Sequence, residues 1–276
     1  WLANSHHPRL LHLFDRARNL INERREVLSI VTPEIGNGPF NLVVQTDLFF
    51  IQHLSLEASI STSAFQLNLG NLTIDTENAT LWNPCPDWEM LHSKKDEIAK
   101  RLTQLPITNY FTQGGIDMPL AVASVPSTAP GLQSLVSDLS SALAAADIST
   151  AKDIASKLAG LGQGLTPSGD DFLMGALYAA WILHPREVAS GLAQSVAESA
   201  APLTTSLSAA WLRSAGRGEA GILWHQFFDA LVSGGEIEIQ NRVKNILAVG
   251  ETSGADALAG FVGVFESRKI ADSSVS

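Results

Sequence analysis

Gly160-Leu161-Gly162-Gln163-Gly164-Leu165-Thr166-Pro167-Ser168-Gly169-Asp170-Asp171-Phe172-Leu173-Met174-Gly175 is the stretch whose reading decides the fold. Three alternating glycines run through Thr-Pro into a serine and two acids, and an apolar run then extends from Phe172 to Leu183. Ser168 followed three residues later by Asp171 is the capping-box arrangement, with Asp in place of the usual Glu or Gln. A cap followed by an apolar run predicts a helix over Ser168–Leu183. That run is well short of the roughly 20 residues a membrane-spanning helix needs.

From Gly131 onward the composition shifts to Ala, Leu, Ser and Gly. Further helices are expected over Leu132–Ala145, Thr150–Leu158, Arg186–Ala200, Thr204–Ala215, Glu219–Val232, Glu236–Ala248 and Ser253–Ser267. Gly160, Pro185, Pro202, Gly218 and Gly250 fall between them, where helices stop and start. The C-terminal half therefore reads as an all-helical bundle with a frayed tail over Ile270–Ser276.

The first half reads differently. Leu10–Arg25 carries apolar residues at helical spacing (Leu10, Leu13, Phe14, Ala17, Leu20, Ile21). Short runs of β-branched and aromatic residues follow at Val27–Thr32, Phe40–Thr46, Leu48–Leu54, Phe65–Leu69 and Leu72–Asp75. Gly36-Asn37-Gly38-Pro39, Thr46-Asp47 and Gly70-Asn71 punctuate them. A mostly antiparallel sheet or small barrel with flanking helices is expected, then a helix capped by Asp87 and running to about Gln104. Thr112–Pro130 holds three prolines and two adjacent glycines and reads as a connector. The expected organisation is α+β: a β-rich domain over 1–111, a connector over 112–130, and a helical domain over 131–276 that carries the Gly-rich loop.

Composition narrows the function. With 276 residues the chain can bury a sizeable core. Its formal charge of −10, without a basic run, argues against nucleic acid and against an anionic membrane surface. The one cysteine, Cys85, precludes an intramolecular disulfide and fits a reducing compartment. The first residues show no basic-then-apolar leader, and Trp1 in place of Met points to trimming; the expectation is a cytoplasmic protein.

Thr252-Ser253-Gly254-Ala255-Asp256-Ala257-Leu258-Ala259-Gly260 repeats Pro167–Gly175 at five of nine aligned positions. Each copy follows a Gly-containing loop and opens an apolar run. Two readings stand. In one, Ser168 with Asp171 and Ser253 with Asp256 only cap helices, while Gly175 and Gly260 allow close helix packing. In the other, the two helix starts face one pocket, where the glycine-loop amides and a positive helix end favour a small anion. Asp170 is left over by the capping reading and is the candidate to bind a cation or a donor group. The loop lacks the Lys of a Walker motif, and no β-branched strand precedes it as in a dinucleotide fold.

At Gly160–Phe172 (GLGQGLTPSGDDF) the sequence resembles the AllH family. The resemblance extends through Thr204–Glu219 (TTSLSAAWLRSAGRGE) and Gly250–Phe261 (GETSGADALAGF), and more faintly through Gly36–Val44 and Asn78–Pro84. It implies a subunit of an oxamate-type carbamoyltransferase of allantoin (purine) breakdown, acting with an FdrA-like subunit and a further subunit. The implied reaction moves a carbamoyl group between carbamoyl phosphate and oxamate, giving oxalurate and phosphate, or runs in reverse. Gln163 stands where the family often has Pro. Glu251 stands where it often has His, which removes a possible base.

Both lines of reasoning converge on small anions. The expected ligand set is the amides of Gly162, Gln163 and Gly164 with the hydroxyls of Thr166 and Ser168, completed by Thr252, Ser253 and Asp256. Asp170 and Asp171 are assigned to orientation, or to a Mg²⁺ or monovalent ion bridging to the ligand, with Asp170 the metal candidate. Thr205 joins the candidates through the family resemblance, or else caps a helix. Arg213 and Arg217 either supply charge to an anion or form surface ion pairs, and His225 is expected to be structural. The competing class is a non-catalytic module that binds an anionic metabolite or scaffolds a complex. A metal-assisted hydrolase built on the two acids is a third reading, against which the absence of a nearby histidine counts.

Overall fold

The computed structural model describes residues 1–45, 59–104 and 132–274, with side chains described as far as residue 270. It divides into two units, Trp1–Pro84 and Cys85–Ser276. The expected strand Leu48–Leu54 and the connector Thr112–Pro130 lie outside the described residues.

In the first unit, β1 (Arg9–Leu13), β2 (Ala17–Ile21), β3 (Val27–Val31) and β4 (Asn41–Val43) form one sheet in sequence order. The first two pairings are antiparallel and β3–β4 is parallel. A second, antiparallel sheet comprises β5 (Ile60–Thr62), β6 (Gln66–Leu69) and β7 (Leu72–Asp75). Neither sheet closes into a barrel. Leu20 and Ile30 of the first share a core with Leu67, Leu69 and Ile74 of the second. The alternation of buried Leu67 and Leu69 with outward neighbours is the period of a strand covered on one face.

The helix expected over Leu10–Arg25 is replaced by the β1–β2 hairpin. Its Asp15-Arg16 turn is closed by the Phe14 amide on the Ala17 carbonyl at 2.8 Å. β2 is an inner strand, and Arg18, Asn19, Leu20 and Ile21 are all buried. Polar residues buried on such a strand erase the two-residue alternation, and what remained mimicked a helical stripe. Pairing with β3 overrides local spacing.

The second unit is helical, as the composition predicts. Its described elements are α1 (Trp88–Ser93), α2 (Lys95–Gln104), α3 (Leu132–Ala144), α4 (Ile148–Leu158), α5 (Ser168–Leu183), α6 (Arg186–Ala200), α7 (Ser206–Gly216), α8 (Ile222–Ser233), α9 (Glu236–Leu247) and α10 (Ser253–Ser274). Asp87 accepts the Met90 amide at 2.9 Å and so caps α1 as expected, but the helix breaks at Lys94 before α2. The tail expected to fray at Ile270 instead continues α10 to Ser274.

Every residue of α5 except Met174 is buried. A helix apolar on all sides must be the centre of its bundle. Its aromatic residues also hold the turn after α7. Trp181 Nε1 donates to the Ala215 carbonyl at 2.9 Å, and the Tyr178 hydroxyl donates to the Glu219 carbonyl at 3.2 Å. Trp88, stacked on Trp181 with centroids 5.6 Å apart, donates to the Gly218 carbonyl at 2.8 Å. Carbonyls freed at the end of α7 thus find buried donors.

Candidate functional site

The repeat seen in the sequence is a reciprocal contact in space. A Cβ on Gly175 of α5 would sit 1.7 Å from the Ala257 carbonyl oxygen of α10, and one on Gly260 would sit 2.0 Å from the Phe172 carbonyl oxygen. Phe172 and Ala257 are themselves equivalent positions of the two copies. The pattern continues outward: Gly169 packs on the Leu158 carbonyl and its equivalent Gly254 on the Ile246 carbonyl, at 2.2 and 1.8 Å from an added Cβ. The two copies are therefore related by an approximate two-fold that brings both helix starts together.

The repeat's first serine does not hold the cap position of its helix. Pro167 occupies the N-cap of α5 and its carbonyl takes the Asp170 and Asp171 amides, so Ser168 is already inside the helix. In α10 the Thr252 carbonyl takes the Asp256 amide. In both copies the residue before the serine holds the cap position, so each serine lies inside its helix with its hydroxyl beside the acid of the other copy.

The acids meet hydroxyls across this junction. Ser168 of α5 and Thr252 lie beside Asp256 of α10; Ser253 of α10 and Thr166 lie beside Asp171 of α5. Thr166 and Ser253 are hydrogen-bonded to each other at 2.9 Å. Burial pushes the Asp171 carboxyl up to about 8; the hydroxyls oppose this and the neighbouring Asp256 charge adds to it. Burial likewise raises Asp256 to about 6, against the pull of Ser168 and Thr252. Among the described residues, no hydrogen bond of acceptable geometry reaches Oδ2 of Asp171 or either oxygen of Asp256.

Asp170 does different work. Its Oδ1 accepts the Gly160 amide at 2.9 Å and its Oδ2 accepts the Thr204 hydroxyl, so both oxygens hold the chain on either side of the helix start. Burial raises its pKa, and these donors partly restore it. Its equivalent in the second copy is Ala255, so this clamp belongs to the Gly-rich loop alone.

That loop is shaped by its glycines. Gly160, Gly162 and Gly164 have φ of +73°, +121° and +91°, which side-chain-bearing residues rarely adopt. Gly162 lies against the α5 start, where a Cβ would fall 2.6 Å from the Ser168 nitrogen, while Gly164 faces open space. Thr205, which caps α7 by accepting the Ser208 amide, donates to the Leu165 carbonyl at 2.7 Å and ties the loop from its outer side. The Gly162, Gln163 and Gly164 amides donate to no described group.

The remaining candidates separate from this cluster. Arg213 pairs with Glu198 at 3.5 Å, and Arg217 grips Glu219 through Nε at 3.0 Å and Nη2 at 2.6 Å. His225 sits part-buried on α8. Cys85 is exposed and desolvation raises its thiol pKa, the reverse of an activated nucleophile. Two cavities, of about 250 and 420 Å³, lie along α10 well past its start, lined in part by Phe265 and by His184 respectively. Among the described residues no three His, Cys, Asp or Glu side chains gather as a metal site. A cation here would take its other ligands from substrate or solvent. Among those residues, too, no helix is long and apolar enough to cross a membrane.

Sequence reasoning named Asp256 but not its exchange of partners with Asp171. Nor did it see Thr204, whose contact with Asp170 only tertiary packing creates. The signal for Thr204 was its place in a Thr-Thr-Ser run that the family resemblance already singled out.

Fold and site together define a helical module in which a repeated Ser-Gly-x-Asp turn joins two helix starts beneath a glycine loop. Residues 158–265, which span loop, clamp and both copies, match the AllH family model, oxamate carbamoyltransferase subunit AllH. The resemblance read from the sequence is borne out over that segment, and the family's name points to a subunit of that multi-subunit transferase. The fainter similarities at Gly36–Val44 and Asn78–Pro84 lie outside it. No solved structure matches the chain.

Proposed function

We propose that this chain is the subunit of an oxamate-type carbamoyltransferase that binds the small anionic substrate, with the Gly-rich loop as its cradle. One observation carries the reading: the Gly162–Gly164 amides are uncommitted in a loop held in place from Gly160 by Asp170 and from Leu165 by Thr205. Preorganised amides at a helix start suit a phosphate or carboxylate, because nothing must reorient when the charge arrives.

In this reading the loop amides and the Thr166 hydroxyl meet the phosphate of carbamoyl phosphate or the carboxylate of oxamate. Ser168, Thr252 and Ser253 line the reacting side, from which the carbamoyl carbon passes between a phosphate oxygen and the oxamate nitrogen. Asp171, a neutral acid near pH 7, can give a proton to the leaving phosphate oxygen, and Asp256, raised only to about 6, can take the proton that the oxamate nitrogen loses. Asp170 positions the loop and touches no substrate. A Mg²⁺ or monovalent ion, if used, would be held by Asp171 or Asp256 and would supply positive charge to the anion. The FdrA-like and further subunits would complete the site, and the setting would be cytoplasmic allantoin breakdown.

Calorimetric titration of the full chain with phosphate, carbamoyl phosphate, oxamate and oxalurate, with and without Mg²⁺, tests this. Saturable binding that weakens at least about tenfold in Gly164→Ala supports it, since that change strains a positive φ while meeting no neighbour. Failure of well-folded protein to bind any of the four, alone or with its sister subunits, removes it.

A second reading keeps the anion site but makes the chain a non-catalytic sensor or scaffold. It is favoured by Asp170, whose two oxygens are both spent on holding the chain. Complex turnover that survives loss of anion binding by this subunit would select it.

A further inference from the structure

Three carboxylate oxygens sit where the two helix starts meet and receive no hydrogen bond of good geometry among the described residues: Oδ2 of Asp171 and both oxygens of Asp256. They have only the nearby hydroxyls of Ser168 and Thr252 at Asp256 and of Thr166 and Ser253 at Asp171. Asp256 is 0 % exposed and Asp171 only 7 %. Buried polar oxygens left unmet are rare in folded proteins; those of ionised Asp256 call for a donor, while protonated Asp171 keeps one acceptor oxygen and offers one O–H. The need is duplicated by the approximate two-fold, so it is a property of the repeated turn and not of one stray side chain. The adjoining Thr166, Thr252 and Ser253 are part-exposed, which gives the acids a polar route to solvent.

A carboxylate or a fully ionised phosphoryl group cannot meet this need, because its oxygens carry no donor hydrogens. A primary amide can. Its –NH2 offers two donors in one plane, and its carbonyl oxygen accepts from the neighbouring hydroxyls or from a protonated acid.

We infer that Asp171 and Asp256 bind the –NH2 of a carbamoyl or ureido substrate, and that this contact selects carbamoyl donors over acyl donors of the same shape. The inference rests on the proposed reading in one respect: the anionic end of the same molecule lies in the Gly-rich loop. Binding here makes and breaks no covalent bond. It orients the carbamoyl plane between the two helix starts, where either acid can hold the shared proton.

Carbamoyl phosphate and acetyl phosphate differ by –NH2 against –CH3 and share their anionic end, which makes them the discriminating pair. Calorimetry on the full chain should show carbamoyl phosphate bound at least about 100-fold more tightly than acetyl phosphate, because a methyl would leave the acids unmet. Asp256→Asn and Asp171→Asn, nearly isosteric changes checked for folding by circular dichroism, should each cut that preference about tenfold and leave phosphate affinity within about threefold. Equal affinity for the two acyl phosphates, with phosphate still bound, overturns the inference and leaves the loop reading standing. A preference unchanged in both variants also overturns it, by locating the selection elsewhere. If none of the three ligands binds, alone or with the sister subunits, the inference falls, and the loop reading falls with it when oxamate and oxalurate fail to bind as well.

Discussion

Replacing Gly175 by Ala sets two physical effects against each other, and the α5–α10 junction decides the sign. Alanine in a helix interior is favoured over glycine by about 1 kcal/mol because glycine surrenders more backbone entropy. Gly191, in α6, has nothing within 4 Å of an added Cβ, so Gly191→Ala should be stabilising by about that amount. At Gly175 the new methyl would lie 1.7 Å from the Ala257 carbonyl oxygen, against a floor of 3.0 Å for real Cβ contacts, so the helices must part by at least about 1.3 Å. The obstacle is backbone, which cannot rotate away, and α10 is clamped by the reciprocal contact at Gly260. Overpacking of this kind is destabilising by about 3 kcal/mol. The net loss is about 2 kcal/mol, a fall of about 4–8 °C in Tm for a unit of this size, against a rise of about 2–4 °C for Gly191→Ala. Thermal unfolding followed by tryptophan fluorescence reads both, since Trp88, Trp181, Trp211 and Trp224 all lie in the helical unit. If Gly175→Ala stabilises as Gly191→Ala does, the close approach of the helices is not real and the site built upon it goes too.

The acid pair makes a pH prediction. Asp171 is raised to about 8 in the folded chain from 3.8, so the folded state holds the proton more tightly and stability falls as pH rises between those values. Asp171→Asn, which mimics the neutral acid, should flatten the decline of Tm between pH 5 and 8, and parallel profiles for the two proteins would refute the assignment. Thr205→Ala removes the α7 cap and the tie to Leu165, with an expected loss of about 1 kcal/mol in urea unfolding; Thr205→Ser should restore most of it. Trp88→Phe keeps the ring packing but leaves the buried Gly218 carbonyl without its donor, for about 2 kcal/mol by the same assay. A change below about 0.5 kcal/mol would mean that water or another group replaces the indole.

Much of the helical unit was legible because its signals are local. Pro167, Pro185 and Thr205 sit at helix starts, Gly218 and Gly250 between helices, and the apolar run after Asp171 has no polar face to offer solvent. The glycines at 160, 162 and 164 announced a loop of positive φ that no other residue type adopts easily. The hairpin over Arg9–Ile21 was not legible, because Arg18 and Asn19 are buried by neighbouring chain and their polarity broke the alternation. Ser168 and Asp171 were misread for a related reason: as a cap they would need only each other, whereas their real neighbours, Asp256 and Ser253, lie 88 and 82 residues further on.

By itself the sequence determined the acidic composition, and also the helices with their punctuation, the glycine loop and the existence of a repeated turn, which depend on neighbours within a few residues. Only the tertiary structure decided that the two turns face each other, that Asp170 is spent on Gly160 and Thr204, and that Asp171 and Asp256 are left buried with oxygens unmet. The reason is that burial and hydrogen-bond satisfaction are set by what packs against a residue, and for this site the packing partners come from a second helix that the chain reaches only after threading four others.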